Sequence, residues 1–308
     1  MFKTTNYRQI IIPPCPPLVR LRRRGWGDLK LVFGNYWGLG IWNLGIFFFL
    51  TLLVFNVGCQ RDKAGITVAG STSVEPFAEL LAEEYMRHYP KIHIYTQGGG
   101  STAGIEAVRS GVAQIGMSSR HLSAKEKDLY SVMIAKDAIA IIVHPKNPIK
   151  DLPLAIVREV FAGKIKNWKE LGGKTGAIIL VTREEGSGTR EAFQKMVMGK
   201  EAIALEALVQ DSNGAIRQVV SGDPNALGYI SLGLVNEKVK SLNISGVEAT
   251  SENVIAEKYA LVRPFLFLFN GPPAGEAKSF LEFVMSPKSQ KLLSREGLVT
   301  VLAKSSGG

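Results

Sequence analysis

Serine, threonine and glycine recur in this chain in four short clusters. These are Gly70-Ser71-Thr72-Ser73, Gly98-Gly99-Gly100-Ser101-Thr102, Ser118-Ser119, and Arg183-Glu184-Glu185-Gly186-Ser187-Gly188-Thr189. A multiply charged tetrahedral oxyanion gives up its hydration shell only where many donors replace it. Serine and threonine hydroxyls are short, neutral and orientable. Glycine lets backbone N–H groups come close, and one arginine adds charge with a forked pair of donors. The candidate anion ligands are therefore Ser71, Thr72, Ser73, Ser101, Thr102, Ser119, Arg183, Ser187, Gly188 and Thr189.

Three of the clusters stand between an apolar strand pattern and a helical pattern. The strands are Ile66–Ala69, Ile92–Tyr95 and Ile178–Val181, and helices are expected from Val74, from Ala103 and from Arg190 through Val197. Each cluster thus lies at a helix N-terminus, where free N–H groups and the positive end of the helix dipole favour an anion. The helix after Val74 keeps Phe77, Leu80, Leu81 and Tyr85 on one face. Ser123 with Glu126 forms a capping box for a helix expected through Tyr130. Ala138–Val143 is a continuous apolar run suited to a fully buried strand. Further helices are expected near 156–161, 168–171, 275–283 and 289–294, with strands at 228–232 and within 259–269. Strand–helix alternation predicts an α/β fold with mainly parallel sheets. The prolyl segment His144-Pro145-Lys146-Asn147-Pro148 suits a first crossing between lobes, and a return is expected just past 231. The expected division is a segment over 1–59, a first lobe of 62–142 plus 232–308, and a second lobe of 143–231, with the ligand in the cleft between lobes.

The clusters also resemble a known family. Ala69–Pro76 (AGSTSVEP), Gly98–Gly104 (GGGSTAG), Ile115–Arg120 (IGMSSR), Phe161–Trp168 (FAGKIKNW), Arg183–Arg190 (REEGSGTR) and Leu227–Ser231 (LGYIS) are similar, in order, to the loops of bacterial phosphate-binding proteins of the PstS type. The similarity spans essentially 65–300. It implies a two-lobe periplasmic-binding-protein fold, type II-like, with inorganic phosphate as ligand and the membrane permease of a phosphate ABC transporter as partner. It implies no cofactor, no metal and no catalysis. Carried over residue by residue, it gives Ser71, Thr72, Ser73, Ser101, Thr102, Arg183, Ser187, Gly188 and Thr189 as phosphate ligands. Some members carry an Asp in the third loop that accepts the proton of hydrogen phosphate; here Ser118-Ser119-Arg120 has no acid. Asp137, just before the buried strand, is the first candidate for that acceptor and Glu75 a weaker one. Arg120 is expected to pair with an acid or stand at the cleft rim.

The net charge of +10 is uneven: residues 1–58 hold seven basic residues against the single acid Asp28. Arg22-Arg23-Arg24, an apolar run to Val57, then Gly58-Cys59 read as an export signal. The Gly-Cys junction resembles a lipobox that lipidates Cys59, with Asn56 as a departure. The other reading is an uncleaved anchor, since Leu39–Val57 nearly spans a bilayer. Both place the body outside the cytoplasm. The body carries no basic stripe with interleaved aromatics, which argues against nucleic acid. No Gly-x-Ser-x-Gly elbow or Gly-x-x-x-x-Gly-Lys-Ser/Thr phosphate loop is present, and the four histidines lack metal-ligand spacing. The competing readings are a receptor for a fully ionised anion such as sulfate or molybdate, and an exported phosphate sensor uncoupled from transport.

Overall fold

A computed structural model describes residues 65–301. The expected signal, the lipidation site Cys59 and the anchor lie outside the described residues. No helix among the described residues is long and apolar enough to cross a membrane.

The chain begins with β1 (Ile66–Gly70), α1 (Glu75–His88), β2 (Ile94–Gly98), α2 (Ser101–Arg109), β3 (Ile115–Ser118) and β4 (Tyr130–Val143). It continues with β5 (Asp151–Leu152), α3 (Leu154–Phe161), β6 (Ile179–Arg183), α4 (Gly188–Phe193), β7 (Leu208–Gln210), α5 (Asn213–Gly222), β8 (Ala226–Ser231), β9 (Lys240–Ser241), β10 (Asn243–Ile244) and α6 (Ser251–Ile255). It closes with β11 (Val262–Phe269), α7 (Gly275–Val284), α8 (Pro287–Arg295) and β12 (Val299–Thr300). The main sheet runs β2-β1-β3-β11-β4-β8-β6-β7, with β9 and β12 also on β4. β1 is parallel to β2 and β3, and β6 is parallel to β7 and β8, whereas β11 and β4 are antiparallel to their neighbours.

β4 joins the two halves. Its residues Tyr130–Ala138 pair with β11, and Ile139–Val143 pair with β8. The predicted apolar run, Ala138–Val143, is the second of these stretches with the last residue of the first, and every side chain in it is buried. One core gathers Val68, Leu81, Ile115, Phe265, Phe267 and Phe280. A second gathers Ile141, Phe161, Phe193, Tyr229 and Leu242, and a smaller third gathers Ile105, Val108, Leu266 and Leu268. Phe193 stacks on Tyr229 at 4.0 Å between ring centroids, and Phe161 meets both rings edge-on.

Local outcomes differ from expectation in three places. Ser123 and Glu126 do form a capping box, but around a 3-10 turn over Ala124–Glu126. Tyr130-Ser131-Val132 then enters β4, because β11 offers a full antiparallel partner there. The helix expected through Val197 is α4 followed by a π-turn over Gln194–Met198. Beyond residue 231 the chain touches the first half, with Gly233 beside Phe77 and Glu296 and Leu234 on the first core, and then returns: Val239, Leu242, Ile244, Val254, Tyr259 and Leu261 lie in the core of the second half. Their reason is the sheet, since β9 pairs with Ile142 and Val143 and β10 pairs with β5.

Candidate functional site

The loop between β1 and α1 is pinned before it meets anything else. Ser71 N–H donates to Met117 O (3.0 Å), and Ser71 Oγ accepts from Ser73 N–H (3.2 Å). The Ser71 hydroxyl therefore shapes its own loop. Gly70 sits at φ +137°, where a Cβ would collide with Met117 O, so glycine is required for the turn. The glycines before α2 dock beside it: Gly100 N–H donates to Gly70 O (2.9 Å). Ser101 Oγ then accepts from Ser119 N–H (3.1 Å) and lies 3.5 Å from Ser119 Oγ. Ser187 caps α4, its Oγ accepting from Arg190 N–H (3.3 Å). Gly188 follows, so close to the other loops that a Cβ there would collide with Ser101 Oγ and stand 2.8 Å from Ser119 Oγ.

The hydroxyls of the two halves meet directly. Ser73 Oγ and Thr189 Oγ1 are 2.7 Å apart. Asn213 Nδ2, at the first residue of α5, donates to Ser73 Oγ (2.9 Å), and Asn213 Oδ1 accepts from Ser231 N–H (3.1 Å). The N-termini of α1, α2, α4 and α5 thus share one buried polar centre. Arg183, at the end of β6, is 1 % exposed. Its Nε and Nη2 form a fork to Glu184 (both 2.8 Å), and Nη2 also donates to Asp211 O (2.9 Å) and Thr72 Oγ1 (3.0 Å). Its Nη1 is buried with no hydrogen-bond partner. A charged donor without an acceptor is costly inside a protein.

Asp137 takes a more indirect place than the sequence suggests. Its Oδ2 accepts from Arg263 Nε (3.0 Å), and Arg263 Nη2 lies 2.9 Å away. Both side chains are 1 % exposed. Arg263 Nη1 continues to Thr189 Oγ1 (2.7 Å), which ties the pair to the hydroxyl cluster. Asp137 Oδ1 is buried without a hydrogen-bond partner. Burial pushes the Asp137 carboxyl up, against the pull of Arg263. Glu75 is also pushed up by burial, and it takes the Gly98 backbone amide at the start of α1.

Thr102 is not brought to the centre. Its N–H donates to Gly186 O (3.1 Å), and its hydroxyl donates to Glu191 Oε1 (3.4 Å). It is the second residue of α2, and the helical turn carries its side chain away from Ser101. Arg120 sits at the margin as expected: Nη1 and Nη2 donate to Glu126 (2.7 and 2.9 Å), and Nε lies 2.7 Å from Glu191.

Asn213 and Arg263 are the residues the sequence reading overlooks. Ser212-Asn213-Gly214 follows a strand and opens a helix, the same signal as the three clusters named above. Arg263 is a lone charge in an apolar β-run, and such a charge is buried only with a partner.

Two α/β halves sharing helix N-termini around one buried arginine define a two-lobe solute-binding protein. Residues 58–288 match the family model of the PBP superfamily domain. The phosphate-binding protein PstS of Bacillus subtilis is 33% identical over 250 residues, covering 79% of this chain and 83% of the relative. The crystal structure of a phosphate ABC transporter substrate-binding protein from Clostridium perfringens with bound phosphate is 42% identical. It aligns with a TM-score of 0.75 over 78% of this chain and 100% of that one. An ABC-type phosphate transport receptor from Vibrio cholerae is 38% identical, with a TM-score of 0.65 over 76% of this chain and 99% of its own. The chain belongs to the PBP superfamily and, within it, to the PstS family of phosphate-binding proteins.

Proposed function

We propose that this protein binds inorganic phosphate outside the cytoplasm and delivers it to the permease of an ABC importer, without catalysing a reaction. The observation that carries the reading is Arg183: fully buried, forked onto Glu184 and Thr72, with Nη1 left for an anion. Hydroxyls of Thr72, Ser73, Ser101, Ser119 and Thr189, the Gly188 backbone and the Asn213 amide supply the surrounding donors. Ser71 and Ser187 hold their loops in shape. The names of the curated and structural relatives support phosphate as the ligand.

Donor accounting sharpens the site. Asn213 Nδ2 and Arg263 Nη1 can only donate, so the Ser73 and Thr189 hydroxyls accept from them; one of the two spends its proton on the 2.7 Å bond between them and the other keeps its proton free for an anion. Sulfate would be content with donors alone. Monohydrogen phosphate also brings a proton that needs an acceptor. Asp137 is our acceptor: Oδ1 has no protein partner, burial raises its proton affinity, and the Arg263 bridge ends on Thr189.

The lobes are proposed as 65–138 with 262–301, and 139–261. Each half then owns its main core, the first with a smaller cluster around Ile105, Leu266 and Leu268, and Ile139 N–H to Leu261 O (2.8 Å) marks where the two crossings touch. Closure of these lobes buries the anion. The Gly58-Cys59 junction supports a lipid anchor at Cys59 that keeps the protein at the membrane face. The test is calorimetric titration of the purified protein with phosphate and with sulfate. Micromolar phosphate binding with much weaker sulfate binding is the expected result; preference for sulfate overturns the reading.

A further inference from the structure

We infer that Arg120 and Glu191 form a latch between the lobes that sets how slowly the bound anion leaves. The inference rests on the phosphate-receptor reading, but the contact stands outside the anion centre. Glu191 lies on α4, in the half that carries Arg183. Arg120 follows β3, in the half that carries Ser73 and Ser101. Their Nε–Oε2 separation is 2.7 Å. The other Glu191 oxygen accepts from the Thr102 hydroxyl across the same gap (3.4 Å). One helical residue is therefore held by two groups of the opposite lobe, and neither group reaches the ligand cluster.

The first-lobe half of the latch is built in advance. Glu126 grips both terminal nitrogens of Arg120, and Ser123 N–H holds Glu126 Oε2 (2.7 Å) through the capping box. His121 O takes a further hydrogen from Nη1 (3.2 Å). The guanidinium is fixed, its side chain only 8 % exposed, and its Nε stands in ion-pair distance of Glu191 without using that N–H on any acceptor. A preformed receiver loses little side-chain entropy on closing, which distinguishes it from an ordinary surface pair. Thr102 N–H to Gly186 O (3.1 Å) adds a backbone contact along the same edge.

The latch acts only when the lobes are together, so it belongs to the release step. Most affinity differences within one interface appear in the dissociation rate. Glu191→Gln keeps the shape and removes the charge. A probe pair at exposed Ala124 and Lys200 would report lobe separation, and stopped-flow mixing with inorganic phosphate would give both rates. We expect E191Q to speed phosphate release about three- to tenfold, with association changed less than about twofold. The effect should shrink in high salt, because the Glu191 side of the pair is open to water. In an Arg120→Gln background, E191Q should add little further, as contacting partners are not additive. Because R120Q also strips Glu126 of its partner, Thr102→Val gives an independent arm with a smaller gain in release rate. An unchanged release rate in E191Q, or full additivity with R120Q, overturns the latch. If the wild-type protein binds no phosphate, the receptor reading falls. The latch is then judged on ligand-free probe distances, which must lengthen in E191Q and which overturn it if they do not.

Discussion

Arg183 and Asp137 are both buried and both leave an atom unpaired, and the proposed site gives them opposite work. Arg183 supplies charge through a planar fork that a lysine cannot copy. Truncating a buried, hydrogen-bonded charge costs roughly 2–5 kcal/mol, or about thirty- to several-thousand-fold in affinity. Calorimetry on Arg183→Ala should show a loss in that range, and Arg183→Lys should recover only part of it. Equal phosphate affinity in wild type and R183A would remove Arg183 from the site. Asp137 is the proposed acceptor, so its loss should be felt in selectivity. Asp137→Asn should narrow the phosphate-over-sulfate ratio about tenfold or more, measured on the folded fraction. It should also destabilise the fold by roughly 3–5 kcal/mol, because Arg263 is left buried and unpaired. If both anions weaken by the same factor, the acceptor is another group.

The elements around these residues were legible in the sequence to different degrees. Strand-to-helix junctions at Gly70, Gly98 and Arg183 announced three of the helix N-termini, since glycine, hydroxyls and apolar periodicity are local signals. The fourth, at Asn213, carries the same kind of signal in Ser212-Asn213-Gly214, but behind a strand of only three residues. Thr102 and Ser71 had the right chemistry, but their orientation depends on turn geometry and on partners far away, Glu191 and Met117, that composition does not reveal. Arg263 depends on sheet pairing across more than a hundred residues, between β4 and β11, and the late packing of 239–261 depends on the remote partners of β9 and β10. Gly188 tests the element level directly. It opens α4 against Ser101 and Ser119, and a methyl group has no room there once the lobes meet. Gly188→Ala is helix-compatible within its own lobe, so its melting temperature should stay within a few degrees of wild type. Its phosphate affinity should fall at least about tenfold, because the added methyl props the lobes apart. A normal affinity in G188A would mean that α4 does not approach the first lobe in the bound state.

For the molecule as a whole, the same charges that frame the site shape its stability against acid. Glu126 is held at about 2 by Arg120, well below its ordinary 4.5, with the Ser123 amide and hydroxyl adding to the pull. A carboxyl depressed on folding stabilises the native state above its unfolded pKa, and that contribution disappears as pH falls through the folded value. The window for Glu126 therefore runs from about 4.5 down to about 2. Asp137 works in the other sense, because burial raises it and proton uptake then favours the folded chain. The wild-type acid profile sums both, so only a difference isolates the first. Glu126→Gln removes one titration and leaves Asp137 in place. Urea midpoints of wild type and E126Q should be well separated near neutral pH, where the Arg120–Glu126 fork is intact in one and absent in the other. The separation should close progressively below about pH 4.5 and be nearly gone close to pH 2. A separation that stays constant across this range would show that Glu126 titrates alike in the folded and unfolded chain, and that Arg120 is not held by its charge.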